Sequence, residues 1–232
     1  MGDWLHSPVP LLLLTLGCYR FGLWLYVRCH RHPLLHPLLV GGVPLVLGLW
    51  WIEIPYARYL ENTALLQLLL GPATVALAWP LYRQLRTIRS VWWPVVWTTV
   101  IGAILAASMA VGIAWQLEAP VDLLASLATK SVTTPIAIDT ATLIGGSAPA
   151  AAGIVALTGI VAALAAPLLF RILGITDDRV RGFTLGLTGH AIGTARAFEY
   201  SERAGAFAGL ALGLTGLLTA LLLPWLWPLW FT

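Results

Sequence analysis

Charge is scarce in this chain. Only 10% of its 232 residues are Asp, Glu, Lys or Arg, against 59% hydrophobic, and the mean hydropathy is +0.86. That balance excludes an ordinary soluble domain, in which about a quarter of residues are charged, and marks an integral membrane protein. Bases and acids nearly cancel at a formal +3, so the pI near 9.1 comes from a few arginines beside apolar segments. No basic patch with interleaved aromatics is present, and no nucleic-acid partner is expected. Cysteine is equally sparse. Cys18 and Cys29 lie in or beside the first apolar run without metal-ligand spacing, so they read as packing residues, with no disulfide framework and no zinc site expected. The sequence also lacks Gly-x-Ser-x-Gly, His-Glu-x-x-His, a Gly-Lys-Thr phosphate loop and a nearby carboxylate pair suited to acid and base roles. Neither an enzyme nor a bound metal or cofactor is expected. The first apolar run, Val9 to Val27, follows no basic stretch and precedes no small-residue cleavage site, so it reads as a retained span.

Long apolar runs are what the chain has. Five segments, roughly 9–27, 36–54, 92–116, 148–171 and 206–230, are long enough to cross a bilayer. Tryptophans near their ends, among them Trp24, Trp50, Trp51, Trp92, Trp93 and Trp225, suit interfacial belts. Between them lie three mixed segments, roughly 63–89, 121–146 and 182–204, apolar in part but carrying Gly, Pro, Thr and ionisable residues. "IGAILAASMA", "TGIVAALAAP" and "TGLLTALLLP" align without gaps, placing Gly102, Gly159 and Gly216 one 57-residue period apart. The expectation is an all-α polytopic membrane protein of about seven or eight segments, with broken or re-entrant helices. It forms one integral domain over 1–232, built from repeat-like units at about 63–116, 121–172 and 182–230. Arg28 and Arg31, then Arg83, Arg86 and Arg89, then Arg171, Arg179 and Arg181 read as cytoplasmic, which puts the N-terminus outside. Segment 121–146 then starts and ends on the outer side, as a re-entrant hairpin or a pair of half-helices.

"KSVTTPIAIDTATLIGG", from Lys130, places a cation, five hydroxyls and an acid in that segment. An ionised group at the bilayer centre costs about 2.5–3.5 kcal/mol on insertion scales, so Lys130 and Asp139 are candidate site residues. The plainer alternative is that Lys130 snorkels to the interface and Asp139 caps a helix. Pro135 breaks the helix just after Ser131, Thr133 and Thr134, and half-helix N-termini present N–H groups that suit a small carboxylate. "GHAIGTARAFEYSER", from Gly189, carries His190, Thr194, Arg196 and Glu199, with Gly189 and Gly193 allowing close approach. Salt-bridging among Arg196, Glu199 and Arg203 on one helix face is the competing reading there, and His190 reads equally as a packing residue. "GPATVALAWPLYRQL", from Gly71, is a kinked or broken span with Pro72, Thr74 and Pro80.

At "KSVTTPIAI", "GHAIGTARAFE" and "GPATVALAWPLY" the chain resembles the LrgB/CidB family of antiholin-like proteins, over about 36–224. It is also similar to the carboxyl-terminal half of the plastidal glycolate/glycerate translocator. It departs from the family pattern at Asp139, where Glu is usual, at Gly189, where Ser precedes the histidine, and at His36-Pro37, where Asn-Pro is common. The resemblance implies a multi-pass protein of the bacterial inner (cytoplasmic) membrane, working with a small LrgA/CidA-like membrane protein and assembling as a homo-oligomer. It also implies one of two functions: transport of small monocarboxylates such as pyruvate, glycolate or glycerate, or control of murein hydrolase activity and autolysis. Under the first, Lys130, Ser131, Thr133, Thr134, Thr194 and Arg196 would hold the substrate. Asp139 and His190 would serve coupling or proton relay, and Pro72, Pro135, Gly189 and Gly193 would mark helix breaks.

Overall fold

The structure is a computed structural model describing residues 7–29, 35, 37–76 and 78–231, which are helices joined by short turns, with no strand among them. Arg31 and His36 lie outside the described residues, as does the side chain of Thr74. The chain divides into two compact units, Met1–Ala76 and Leu77–Thr232.

In the first unit, α1 (Pro8–Arg28) and α2 (Pro37–Trp51) pack antiparallel, glycine against glycine. A Cβ on Gly22 would stand 2.9 Å from Gly41 N, and one on Gly41 would stand 2.8 Å from Cys18 O. In lipid there is no hydrophobic drive between helices, so small residues that let backbones touch supply the attraction. α3 (Tyr56–Asn62) is bent 113° from α2, and the Tyr59 hydroxyl lies 3.0 Å from Thr15 Oγ1. α4 (Ala64–Ala76) runs through Pro72 and continues for four residues, so the expected break does not fall at Pro72 itself.

The second unit begins with two short helices, α5 (Ala78–Arg83) and α6 (Leu85–Ser90), leading into α7 (Trp92–Gln116). Next come α8 (Val121–Ala128) and α9 (Thr134–Leu143), then the long α10 (Ala148–Ile172). α10 starts on Ser147 with a proline in its first turn, and ends where Gly174 takes a left-handed φ of 65° and Ile175 N–H reaches back to Phe170 O. α11 (Asp178–Phe198) is capped by Asp177, α12 (Glu202–Leu226) by Ser201, and α13 (Pro228–Phe231) is a single turn.

Among the described residues, four helices are long and apolar enough to cross a membrane: α1, α7, α10 and α12. A fifth crossing is counted if α2 and α3 form one bent span. The seven or eight segments expected are not reached by this measure, because the mixed segments do not form long helices. Segment 63–89 is divided among α4, α5 and α6, and the other two fold back on themselves.

α8 descends beside α7, with Leu124, Ala125 and Ala128 packed on Val111. α9 returns beside α10, with Ala137 and Ala141 packed on Ala151 and Val155. The link 129–133 is the tip of this first hairpin. Ser126 Oγ accepts from Ser147 N–H at 2.9 Å, tying α8 to the residue that opens α10.

α11 is also a hairpin. His190 has φ 42° and ψ −126°, far from helical values, and divides it into halves 178–189 and 191–198. A straight helix of this length would hold its ends about 30 Å apart. Instead Ser201 Oγ, just past the end, donates to Asp178 Oδ2 at 2.7 Å. The halves touch so closely that a Cβ on Gly193 would stand 2.1 Å from Leu185 O. The first half lies equally close to α12, where a Cβ on Gly182 or Gly186 would come within 2.0 Å of the carbonyl of Ala204 or Ala208.

The glycines of the 57-residue period meet these hairpins. Gly102 on α7 faces Leu187, Gly159 on α10 faces His190 and Ile192, and Gly216 on α12 faces Ile136.

Candidate functional site

Each hairpin ends in a polar tip. In the first, Thr129 Oγ1 donates to Ser126 O at 2.8 Å, closing the last turn of α8. Lys130, the single lysine of the chain, donates from Nζ to Ser131 Oγ at 2.9 Å. Ser131 is buried and Thr133 half-buried, while Thr134 opens to the surface. Thr133 stands at the N-cap of α9 without a side-chain capping bond. Pro135 occupies the first turn, where a proline has no helical hydrogen bond to lose. The remaining first-turn N–H groups, of Thr134 and Ile136, therefore have no acceptor within α9, the arrangement that draws anions to helix starts.

In the second hairpin, the buried His190 ring sits on Gly159 and donates from Nε2 to Val155 O at 2.8 Å. A carbonyl only accepts, so Nε2 carries the proton. Buried Thr194 Oγ1 donates to the His190 carbonyl, one turn back, at 2.8 Å. Gly189, just before the reversal, lies against Ala162. A left-handed φ on a non-glycine residue stores strain, and such residues cluster where a structure is built for function.

The two tips meet at Val155. Its side chain packs with Val132 of the first tip, and its carbonyl takes the His190 bond of the second. Lys130, Ser131, Thr133, His190 and Thr194 are thus drawn toward one stretch of α10.

Two expected members stand elsewhere. Arg196 lies six residues beyond His190, about 9 Å along a helix, at the base of the hairpin. There it is buried and paired with Glu199, with its guanidinium 5.6 Å from the Tyr200 ring centroid. The i,i+3 spacing of Arg196 and Glu199 is used for this ion pair. Asp139 lies on the exposed face of α9, opposite buried Ala137, Thr140 and Ala141.

The base carries contacts that no sequence motif announced. Arg181 stacks on Tyr200 at 5.4 Å and donates from Nε to Ile175 O at 2.9 Å. Ser201 joins the hairpin ends through Asp178, and Arg83 on α5 bonds both carboxylate oxygens of Glu202 at 2.8 and 2.9 Å. Their one sequence signal is the density of Asp, Glu, Arg and Tyr in "TDDRVR" and "EYSER". At the start of α11, Asp177 accepts from Arg179 through Nε, Nη2 and the backbone N–H. The Arg179 side-chain bonds, then its backbone bond, hold the Asp177 carboxyl down at about 2. Among the described residues no group of three His, Cys, Asp or Glu is placed to hold a metal ion.

A helical membrane protein whose polar residues collect at the facing tips of two hairpins is the class that fold and site define. The chain belongs to the LrgB-like family, whose model matches residues 15–229. Among similar proteins, YwbG of Bacillus subtilis, described as uncharacterized, is 33% identical over 190 residues, 82% of this chain and 84% of its own. The antiholin-like protein LrgB of Bacillus subtilis is 27% identical over 221 residues, 94% of each chain. The holin-like protein CidB of Staphylococcus epidermidis is 25% identical over 225 residues, 97% of each. No solved structure matches the chain significantly.

Proposed function

We propose that this protein is a carrier subunit for small monocarboxylates of the pyruvate, glycolate or glycerate class, and not an enzyme. The observation that carries the reading is the meeting of two hairpin tips at Val155, one entering from each side of the unit. A small carboxylate in lipid needs a cation and aligned N–H donors, and the first tip supplies Lys130, Ser131, Thr133 and the start of α9. Thr134 is the outermost hydroxyl of that set. Thr194 supports the second tip from within, by holding the His190 carbonyl. Arg196 acts through the base of the second hairpin, where it steadies the halves that a moving tip needs. Asp139 and His190 remain the candidates for coupling to a proton.

The reading is tested by uptake of labelled pyruvate and glycolate into proteoliposomes holding this chain alone, with and without a pH gradient. Saturable uptake, reduced about ten- to hundredfold in Lys130→Ala, is expected if a charge-assisted bond worth about 1.5–3 kcal/mol holds the carboxylate. Uptake unchanged in Lys130→Ala, with normal protein levels, contradicts the site.

The names of the relatives favour a second reading. LrgB is named antiholin-like and CidB holin-like, which fits a regulator of murein hydrolase activity and autolysis acting with an LrgA-like partner, better than it fits a carrier. On that reading the chain moves no substrate, alone or with the partner, and the polar tips matter for assembly. Uptake that appears only after the partner is added supports a two-component carrier instead.

A further inference from the structure

Asp139 is exposed in the middle of α9, inside a segment that the hairpin carries into the membrane, and no ion pair covers it among the described residues. An acid facing hydrocarbon is costly, so a retained one faces water or protein. Its exposed neighbours on that face are Pro135 and Thr142, four residues before it and three after. Together they extend over about 10 Å of helix, from the Lys130 tip toward the end of α9.

The second hairpin has a counterpart. Thr184 and Thr188 stand one turn apart on its first half, leading away from the His190 tip. A cavity of about 270 Å³ opens beside Thr184, between α7 and the start of α11, with Thr98, Asp177 and Arg179 on its wall and Val95, Phe183 and Phe207 as its floor. It lies at the end of the unit where α10 finishes and α7, α11 and α12 begin, which is also where the arginines of this unit gather. By the excess of positive charge that end is cytoplasmic, and Glu118 and Asp122 mark the outer one.

We propose that the exposed face of α9 and the groove between α7 and the first half of α11 are two separate water-filled approaches to the hairpin tips. The first opens outside and the second to the cytoplasm. This rests on the carrier reading, in which a small anion reaches one tip region from either side in turn. The Arg179–Asp177 pair gives the inner mouth a polar wall, and the lone acid on the outer approach places a proton-accepting group along the way.

The test is cysteine accessibility in the full chain, with Cys18 and Cys29 replaced by serine. Thr142→Cys and Asp139→Cys report on the outer approach, Thr184→Cys on the inner one, and Leu157→Cys on the lipid-facing side of α10, where Leu157 is 64% exposed. Reaction with a membrane-impermeant thiosulfonate needs a thiolate, which lipid suppresses, so the approach positions should label at least about tenfold faster than Leu157→Cys. Thr142→Cys and Asp139→Cys should label from outside, and Thr184→Cys from the cytoplasmic side only. Two outer cysteines as slow as Leu157→Cys, or Thr184→Cys labelled from outside, overturn the proposal. If the labelling pattern holds while neither pyruvate nor glycolate is taken up, the approaches stand and the monocarboxylate reading fails.

Discussion

At the scale of single residues, glycine decides how closely the polar hairpin can close. Gly193 has no room for a methyl group, because its Cβ would lie 2.1 Å from the Leu185 carbonyl, a backbone atom that cannot swing aside. Gly193→Ala is therefore expected to destabilise the protein by at least about 1–3 kcal/mol, read as a lowered unfolding midpoint in detergent. Gly153→Ala, where nothing lies within 4 Å, is the control and should be neutral or gain up to about 1 kcal/mol from helix propensity. Asp177 gives a prediction of another kind. Its carboxyl is held at about 2 against an ordinary 3.8 by the Arg179 bonds, so its ionised form is favoured in the folded state. That contribution is complete above 3.8 and is lost as pH falls through about 2. Asp177→Asn keeps a capping oxygen and removes the charge. The wild type should be the more stable of the two at neutral pH, and the difference between their unfolding midpoints should close across that acid window. A difference that stays constant with pH assigns the role to the cap alone.

At the scale of elements, the first hairpin is tied to α10 through one hydroxyl. Ser126 Oγ accepts from Ser147 N–H at 2.9 Å and donates to Asp122 O at 2.8 Å. Ser126→Ala leaves the Ser147 N–H without that acceptor, which costs about 1–3 kcal/mol if it stays buried. Ser126→Thr, which keeps the hydroxyl, should recover part of the loss in a thermal melt, and equal melts for all three proteins would remove Ser126 from the account. The same elements explain what the sequence made legible. The expected spans 92–116 and 148–171 agree with α7 and α10 almost to the residue, because unbroken apolar runs with interfacial ends leave one reading. The turn-back of 121–146 followed from opposed helices on either side of it. The tip residues Lys130, Ser131 and Thr133 stood out because polarity inside an apolar chain is costly and therefore visible. A break was expected at Gly189 and Gly193 and falls at His190, beside the first of them; that a histidine carries it, and that it turns the chain back, was not legible. "GLTGHAIGTARAF" has the glycine content of a tightly packed helix, and a left-handed histidine has no sequence signature of its own. Nor was the position of Arg196, since its i,i+3 spacing from Glu199 and its capacity to bind a carboxylate are equally present in the string. The folded hairpin shows Arg196 paired with Glu199 and beside the Tyr200 ring, a contact the string did not single out.

At the scale of the whole second unit, the two hairpins determine how many times the chain crosses the membrane. α7, α10 and α12 each have 25 residues, about 37 Å of helix, more than the roughly 30 Å of hydrocarbon to be crossed. The hairpin of α8 and α9 returns to the end it entered, as Ser126 beside Ser147 requires. α11 has 21 residues, enough to cross if straight, but the Ser201–Asp178 bond holds its two ends together. On this geometry the unit is expected to cross three times, starting from the arginine-bearing end and finishing at the other. If the arginine end is cytoplasmic, the end of α12 lies outside. Alkaline phosphatase fused after Thr232 matures only where disulfides form, so such a fusion should be active, and a cytoplasmic reporter fused there should report nothing from that side. A straight α11 adds a fourth crossing and reverses both signals. Because lipid-facing apolar residues suit either geometry, this outcome separates a re-entrant α11 from a spanning one without reference to any substrate. Trimming the hairpin bond by Ser201→Ala should leave the reporter on the same side, since Gly182, Gly186 and Gly193 still hold both halves against their neighbours at backbone distance.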